Sequence, residues 1–263
     1  MSTAAHARWE TFLAKTHGAF DQLMWDSRVS CLRLLDLGAL DPTAMSKAWL
    51  AVRAEVFGLV ERISQVWREL EPVFEAAHVS GAALVEQAAR GRQVGQRLLH
   101  ELERMEIEVF AEAAEKLLEL ARAGLAQEFR CRRCGGSLPV PQRVFRSSQV
   151  GCARCLLHSP FEPTPAVRSL EPFCTHYLSQ REAIGEWEAL MTVERERGSG
   201  GSPELQRLVE AATRQYLRAY YWARARFIPF LETDVEREVA SRMRHLEEEW
   251  CSGAGHASTP SRP

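Results

Sequence analysis

The sequence predicts a mainly α protein, an antiparallel bundle of long helices with a small β insertion near its middle. Three observations predict it. Apolar residues return at intervals of three and four over stretches far longer than any strand. The gaps between these stretches carry helix-start and helix-stop chemistry. Four of the seven cysteines fall in one 25-residue segment that lacks the helical period.

The first stretch runs from Trp9 to Leu35 with Leu13, Phe20, Met24 and Cys31 between them, and predicts one helix ending near Gly38. Asp41-Pro42 opens a second: Asp is suited to cap free N–H groups, and Pro loses nothing in a first turn whose N–H groups have no helical partner. Its stripe is Trp49, Val52, Val56, Leu59, Ile63, Val66 and Leu70, with a break or kink expected at Pro72. From Ser80 to Gly95 the chain is rich in Ala and Gly. Beyond it Leu98, Leu102, Met105, Val109, Ala113, Leu117 and Leu120 define a third helix, with Gly124 as its expected stop.

After the cysteine segment, SPFEPTPAVRSLEP reads as a connector and Tyr177, Ile184, Trp187 and Met191 as a fourth helix. The glycine-rich GSGGSP is a flexible linker. Ser202-Pro203-Glu204 then combines a cap, a first-turn proline and a dipole-compensating acid. It opens the most regular stripe in the chain, Leu205, Val209, Ala212, Tyr216, Tyr220, Ala223 and Phe227, which is expected to kink at Pro229 and continue to about Trp250. The expected organisation is residues 1–126 as N-terminal helices of the bundle, 127–162 as an insertion, 163–250 as C-terminal helices of the same bundle with coiled-coil-like arms, and 251–263 as a disordered tail.

With 263 residues, 46% of them apolar, the chain has material for a substantial core. It has no long apolar run, and MSTAAHARWETF lacks the blocks of a signal peptide, so the expectation is a cytoplasmic protein with no membrane partner. A net charge of -2 gives no general attraction to nucleic acid or anionic lipid, so such a partner would need a local patch.

The chemistry concentrates in CRRCGGSLPVPQRVFRSSQVGCARC. Two C-x-x-C turns each bring two thiolates onto one ion, and two turns complete a closed four-sulfur shell of the kind a structural Zn²⁺ takes, which makes Cys131, Cys134, Cys152 and Cys155 the expected ligands of one zinc. The alternative is reduced buried cysteines or redox pairs. Leu138-Pro139-Val140 and Val144-Phe145 are the expected strands of a hairpin, and Gly135-Gly136 permits the positive φ that a turn after Cys134 needs. His158, Cys174 and His176 lie close enough in sequence to substitute as ligands, although loop and helix roles suit them better.

C-x-x-C-G-G-x-L followed by V-x-C-x-x-C resembles the zinc ribbon, a small rubredoxin-like module, over residues 129–160. The resemblance implies that the four cysteines are the ligands. Leu156-Leu157 stands where that family commonly has a glycine after the last cysteine.

Residues 130–160 contain Arg130, Arg132, Arg133, Arg143, Arg146 and Arg154 and no acid, so this segment carries +6 and the rest of the chain -8. The arginines suit a phosphate backbone or an acidic protein surface. One acidic surface lies in the chain itself: Glu101, Glu108, Glu112, Glu115 and Glu119 share a face of the third helix. Trp222 lies off its helix's apolar stripe as a candidate partner-facing residue, and exposed apolar area would allow a homodimer. Together these features predict a non-enzymatic interaction or adaptor protein with an unknown protein partner, and nucleic-acid binding through the arginines as the alternative. A di-iron oxidase is the remote third reading. Glu75-x-x-His78 has the spacing for it, but no second such pair occurs.

Overall fold

A computed structural model describes residues 2–37, 40–197, 202–228 and 231–251. Among them are eight helices and one two-stranded sheet, a mainly α fold with a small β insertion. The helices are α1 (Ser2–Leu37), α2 (Thr43–Ala76), α3 (Gly81–Glu128), α4 (Pro165–Ser169), α5 (Glu171–Glu182), α6 (Ile184–Arg197), α7 (Pro203–Ala225) and α8 (Val235–Cys251), and the strands are β1 (Ser148–Gly151) and β2 (His158–Phe161). The chain divides into two compact units, residues 1–109 and 110–263.

The first unit is built from α1, α2 and the N-terminal part of α3. All six residues of the α1 stripe are buried. Buried positions there repeat every eleven residues (Trp9, Phe20, Cys31), whereas in α2 they repeat every seven (Trp49, Val56, Ile63, Leu70). Eleven residues overshoot three whole turns by about 20° and seven fall short of two turns by about 20°, so the two stripes drift slowly around their helices in opposite senses. Trp9 near the start of α1 meets Trp67 near the end of α2, 5.4 Å between centroids, so the two run antiparallel. Contact of α3 with both is close because Gly91 and Gly95 lie at the seam. A Cβ on Gly91 would come within 2.7 Å of the Trp9 ring, and one on Gly95 within 3.2 Å of Val60. Arg53 reaches from α2 to the buried Glu106 on α3 at 2.9 Å.

Several boundaries differ from the sequence reading. Pro72 does not break α2, which continues to Ala76; the missing N–H leaves one carbonyl of the preceding turn without its helical donor. α2 starts one residue later than expected: Pro42 is its N-cap, without a side-chain cap hydrogen bond, and Asp41 just before it accepts from the Thr43 N–H at 2.9 Å. Gly124 does not stop α3, which runs on to Glu128 without a left-handed residue at Gly124. Gly38 and the linker glycines 198, 200 and 201 lie outside the described residues, as do Pro229 and residues 252–263.

In the second unit, α5 runs alongside the end of α3 in the same sense: Phe110 meets Phe173 and Tyr177, and Glu115 pairs with Arg181. The expected fourth helix is two, α5 and α6, divided at Ala183, and the proline-containing connector before it holds the short α4, which ends at Leu170. Thr164 caps α4 by accepting from the Val167 N–H, and Ser202 caps α7 by accepting from Leu205 N–H at 3.2 Å, as its sequence predicts. α7 stops at Ala225, and a separate α8 follows instead of one kinked helix. The α7 stripe is buried at Val209, Tyr216, Tyr220 and Ala223, Arg207, Arg214 and Arg218 are exposed, and Trp222 is exposed off the stripe.

Candidate metal centre

The segment between α3 and α4 folds as two turns of the same shape. In the first, the Cys131 N–H donates to the Gly136 carbonyl and the Gly135 N–H to the Cys131 carbonyl, at 2.8 and 2.9 Å. In the second, the Cys152 N–H donates to the Leu157 carbonyl and the Leu156 N–H to the Cys152 carbonyl, both at 2.8 Å. Each turn needs a left-handed residue directly after its second cysteine, and these are Gly135 (φ 68°) and Leu156 (φ 60°). Gly135 does what its sequence suggests. Leu156 takes the same conformation at a cost of about 1 kcal/mol that glycine avoids.

The strands are not where apolar content placed them. Leu138-Pro139-Val140 and Val144-Phe145 form no strand; Leu138, Val144 and Phe145 are buried in irregular backbone instead. The ladder joins β1 to β2, pairing Ser148 with Phe161 and Gly151 with His158, and so clamps the base of the second turn. An isolated bridge between Arg130 and Ser137 clamps the first. Backbone pairing follows the cysteine turns, because each turn returns the chain antiparallel to itself within a few residues.

The two turns bring four sulfurs together. The Sγ atoms of Cys131, Cys134, Cys152 and Cys155 lie within 4.8 Å of one another, a spread that lets one metal ion touch all four. The close separations cross between the pairs: Cys131 to Cys155 at 3.5 Å and Cys134 to Cys152 at 3.6 Å. Leu138, Phe129 and Val150 pack around them.

The turns also favour thiolate. The Cys134 and Arg133 N–H groups point at the Cys131 sulfur and hold its pKa down to about 6, and the Ser159 hydroxyl donates to it at 3.9 Å. The Cys155 and Arg154 N–H groups lower Cys152 in the same way. Cys155 receives the Leu157 N–H, yet burial and the neighbouring thiols push it up to about 11, since adjacent negative sulfurs repel without a cation between them. A soft divalent cation removes that repulsion, so this donor set is suited to hold one.

The other ligand candidates stay apart from this cluster. His158 is exposed on β2, with its imidazole over Gly151. Cys174 is buried, donates to the Ala114 carbonyl, and has its thiol pushed up to about 12 by burial. His176 Nδ1 lies 2.9 Å from the Tyr220 hydroxyl. Glu75 and His78 are both exposed, and His78 follows the end of α2 at φ 52°, so the pair shares no inward helix face. One grouping escaped the sequence reading. His17 and Asp21 on α1 approach Glu101 on α3, at the surface, with Arg97 also paired to Glu101. Its sequence signal is only the four-residue spacing of His17 and Asp21.

All six arginines of the segment are exposed. Arg146 pairs with Glu171 at 2.7 Å and Arg143 approaches Glu232 at 4.0 Å, which ties the loop to α5 and to the segment between α7 and α8. Three carboxylates of the acidic α3 face pair elsewhere: Glu115 with Arg181, Glu108 with Arg104 and Glu101 with Arg97. Among the described residues the guanidinium groups of Arg130, Arg132, Arg133 and Arg154 face no carboxylate. An open hollow of about 470 Å³ lies between α3 and α5, and its Arg181 and Arg122 are engaged by Glu115 and the Gln142 carbonyl.

Compared with protein-family models, curated proteins and solved structures, the chain shows no significant match to any of them. No helix among the described residues is long and apolar enough to cross a membrane.

Proposed function

We propose that the four cysteines bind one structural Zn²⁺ and that the chain is a non-enzymatic interaction protein, its zinc ribbon forming the recognition element. The convergence of the four sulfurs supports this reading most. A tetrahedral ion with Zn–S bonds near 2.3 Å sets its sulfurs about 3.8 Å apart. The cross-pair separations of 3.5 and 3.6 Å are close to that value. Four thiolates leave no open coordination position for a substrate or activated water, so the metal serves architecture. Around it the ribbon exposes arginines without carboxylate partners, a surface better matched to an external partner than to its own chain.

Elemental analysis of the purified protein tests the metal: about one zinc per chain and no iron is the expected result. Protein interaction is tested by affinity purification from the native host with wild type and a ribbon-charge variant, Arg132→Glu/Arg133→Glu, side by side. A specific protein lost with the variant is expected.

The four unpaired arginines also favour a second reading, nucleic-acid binding through phosphate contacts. Anisotropy with duplex and single-stranded DNA and RNA distinguishes it, because such binding is strong at low salt and falls steeply as salt rises. No binding at low salt eliminates it.

A further inference from the structure

Leu156 is in a conformation that disfavours it, and its side chain contributes nothing to the fold that would offset the strain. It sits at φ 60° and is 82% exposed, and Leu157 beside it is 43% exposed. The equivalent place in the first turn is Gly135-Gly136, which makes the same backbone hydrogen bonds. Glycine therefore suffices for the turn and for the placement of the sulfurs. A strained and solvated leucine at this point calls for an explanation outside the chain.

Its surroundings indicate what kind. Arg132 and Arg133 lie in the first cysteine turn and Arg154 in the second, each exposed and directly beside a cysteine whose sulfur is within 4.8 Å of the others, and Leu156 and Leu157 follow the last of these cysteines. The Arg154 side chain passes 3.8 Å from where a Gly136 Cβ would sit, over the first turn. Apolar projections thus stand among cations without acidic partners.

We propose that Leu156 and Leu157 are the anchors of a protein-docking site on the ribbon, and that the partner presents an apolar pocket rimmed by Asp or Glu. This rests on the interaction-protein reading above. Charge complementarity sets the acidic rim, and the pair of leucines sets the pocket. A nucleic acid would satisfy the arginines, but the two leucines offer its bases no aromatic ring to stack on, and the charge of -8 on the rest of the chain opposes it.

A displayed library of random peptides about a dozen residues long, panned against the zinc-loaded full chain, tests the site. Enriched peptides are expected to share a large apolar residue flanked by Asp or Glu. Leu156→Gly suits the backbone of the turn, so zinc content should stay at the wild-type level while affinity for these peptides falls roughly tenfold or more. Leu157→Ser provides a second variant should the first lose zinc. Arg132→Glu/Arg133→Glu should weaken binding most at low salt. If the enriched peptides are indifferent to all three variants, the docking site is overturned and the interaction-protein reading stands. If no peptide enriches, the docking site is overturned, and if oligonucleotides then bind through the same arginines, the parent reading falls with it.

Discussion

Gly135 and Leu156 hold the same left-handed conformation, φ 68° and 60°, each one residue after the second cysteine of its pair. The two turns are built alike but at different conformational cost. Gly135→Ala should therefore destabilise the metal-bound ribbon by about 1 kcal/mol, since the added Cβ meets no atom within 4 Å and only backbone strain acts. Leu156→Gly should have the opposite sign and a smaller size, about 0.5 kcal/mol, because glycine also frees the unfolded chain. Zinc competition with a chromophoric chelator measures both.

Gly91 and Gly58 should respond to alanine in opposite directions. Both lie inside helices, where alanine is the better former by roughly 1 kcal/mol. Gly58 faces open space, so Gly58→Ala should stabilise by up to about that amount. Gly91→Ala drives a methyl into the fully buried Trp9 ring, and overpacking of this kind should cost a net 1–3 kcal/mol or so. Thermal or urea unfolding of the two variants reads the contrast.

Metal binding should release protons in a pH-dependent way. The Cys131 pKa is depressed to about 6, so its thiolate is already present at pH 7.5, whereas Cys155, raised to about 11, still carries its proton. Binding at pH 7.5 should thus displace fewer than four protons, and calorimetry in buffers of different ionisation enthalpy counts them. The depressed group favours the folded turn above its unfolded pKa near 9, and that contribution fades as pH falls from 9 through 6. Apparent zinc affinity should accordingly fall on acidification from pH 7.5, where Cys155 must already give up its proton, and more steeply below pH 6, where Cys131 is protonated as well.

Arg53→Met should destabilise the first unit by about 2 kcal/mol, because it removes a cation from a carboxylate whose side chain is only 6% exposed. Glu106→Gln should cost less, as its amide oxygen still accepts from Arg53. A double-mutant cycle in urea separates the pair's coupling from the effect of each substitution.

The sequence made the helical stripes legible because burial obeys the helical period: the α1 residues from Trp9 to Leu35 and the α7 core at Val209, Tyr216 and Tyr220 all lie inside. Ser202 and Gly135 were legible because capping and left-handed turns each need one particular chemistry. Pro72 does not end α2 and Gly124 does not stop α3, because packing over a long helix outweighs the loss of one hydrogen bond or a glycine's entropy. The strands were misplaced because propensity pointed to Leu138-Pro139-Val140, while Ser-Gln-Val-Gly and His-Ser-Pro-Phe are weak strand formers imposed by the cysteine turn they bracket. The break at Leu170 falls just before Pro172, the expected end of the connector, whereas nothing at Ala183 itself announced the turn there.

Every backbone pairing of the β insertion sits within a few residues of one of the four clustered cysteines, whereas the helices rest on apolar stripes of their own. A chain synthesised under metal starvation would keep its long helices and forfeit the exposed arginine and leucine face. On the proposed reading, zinc supply, and not only how much of the chain is made, would then govern how many copies can meet a partner.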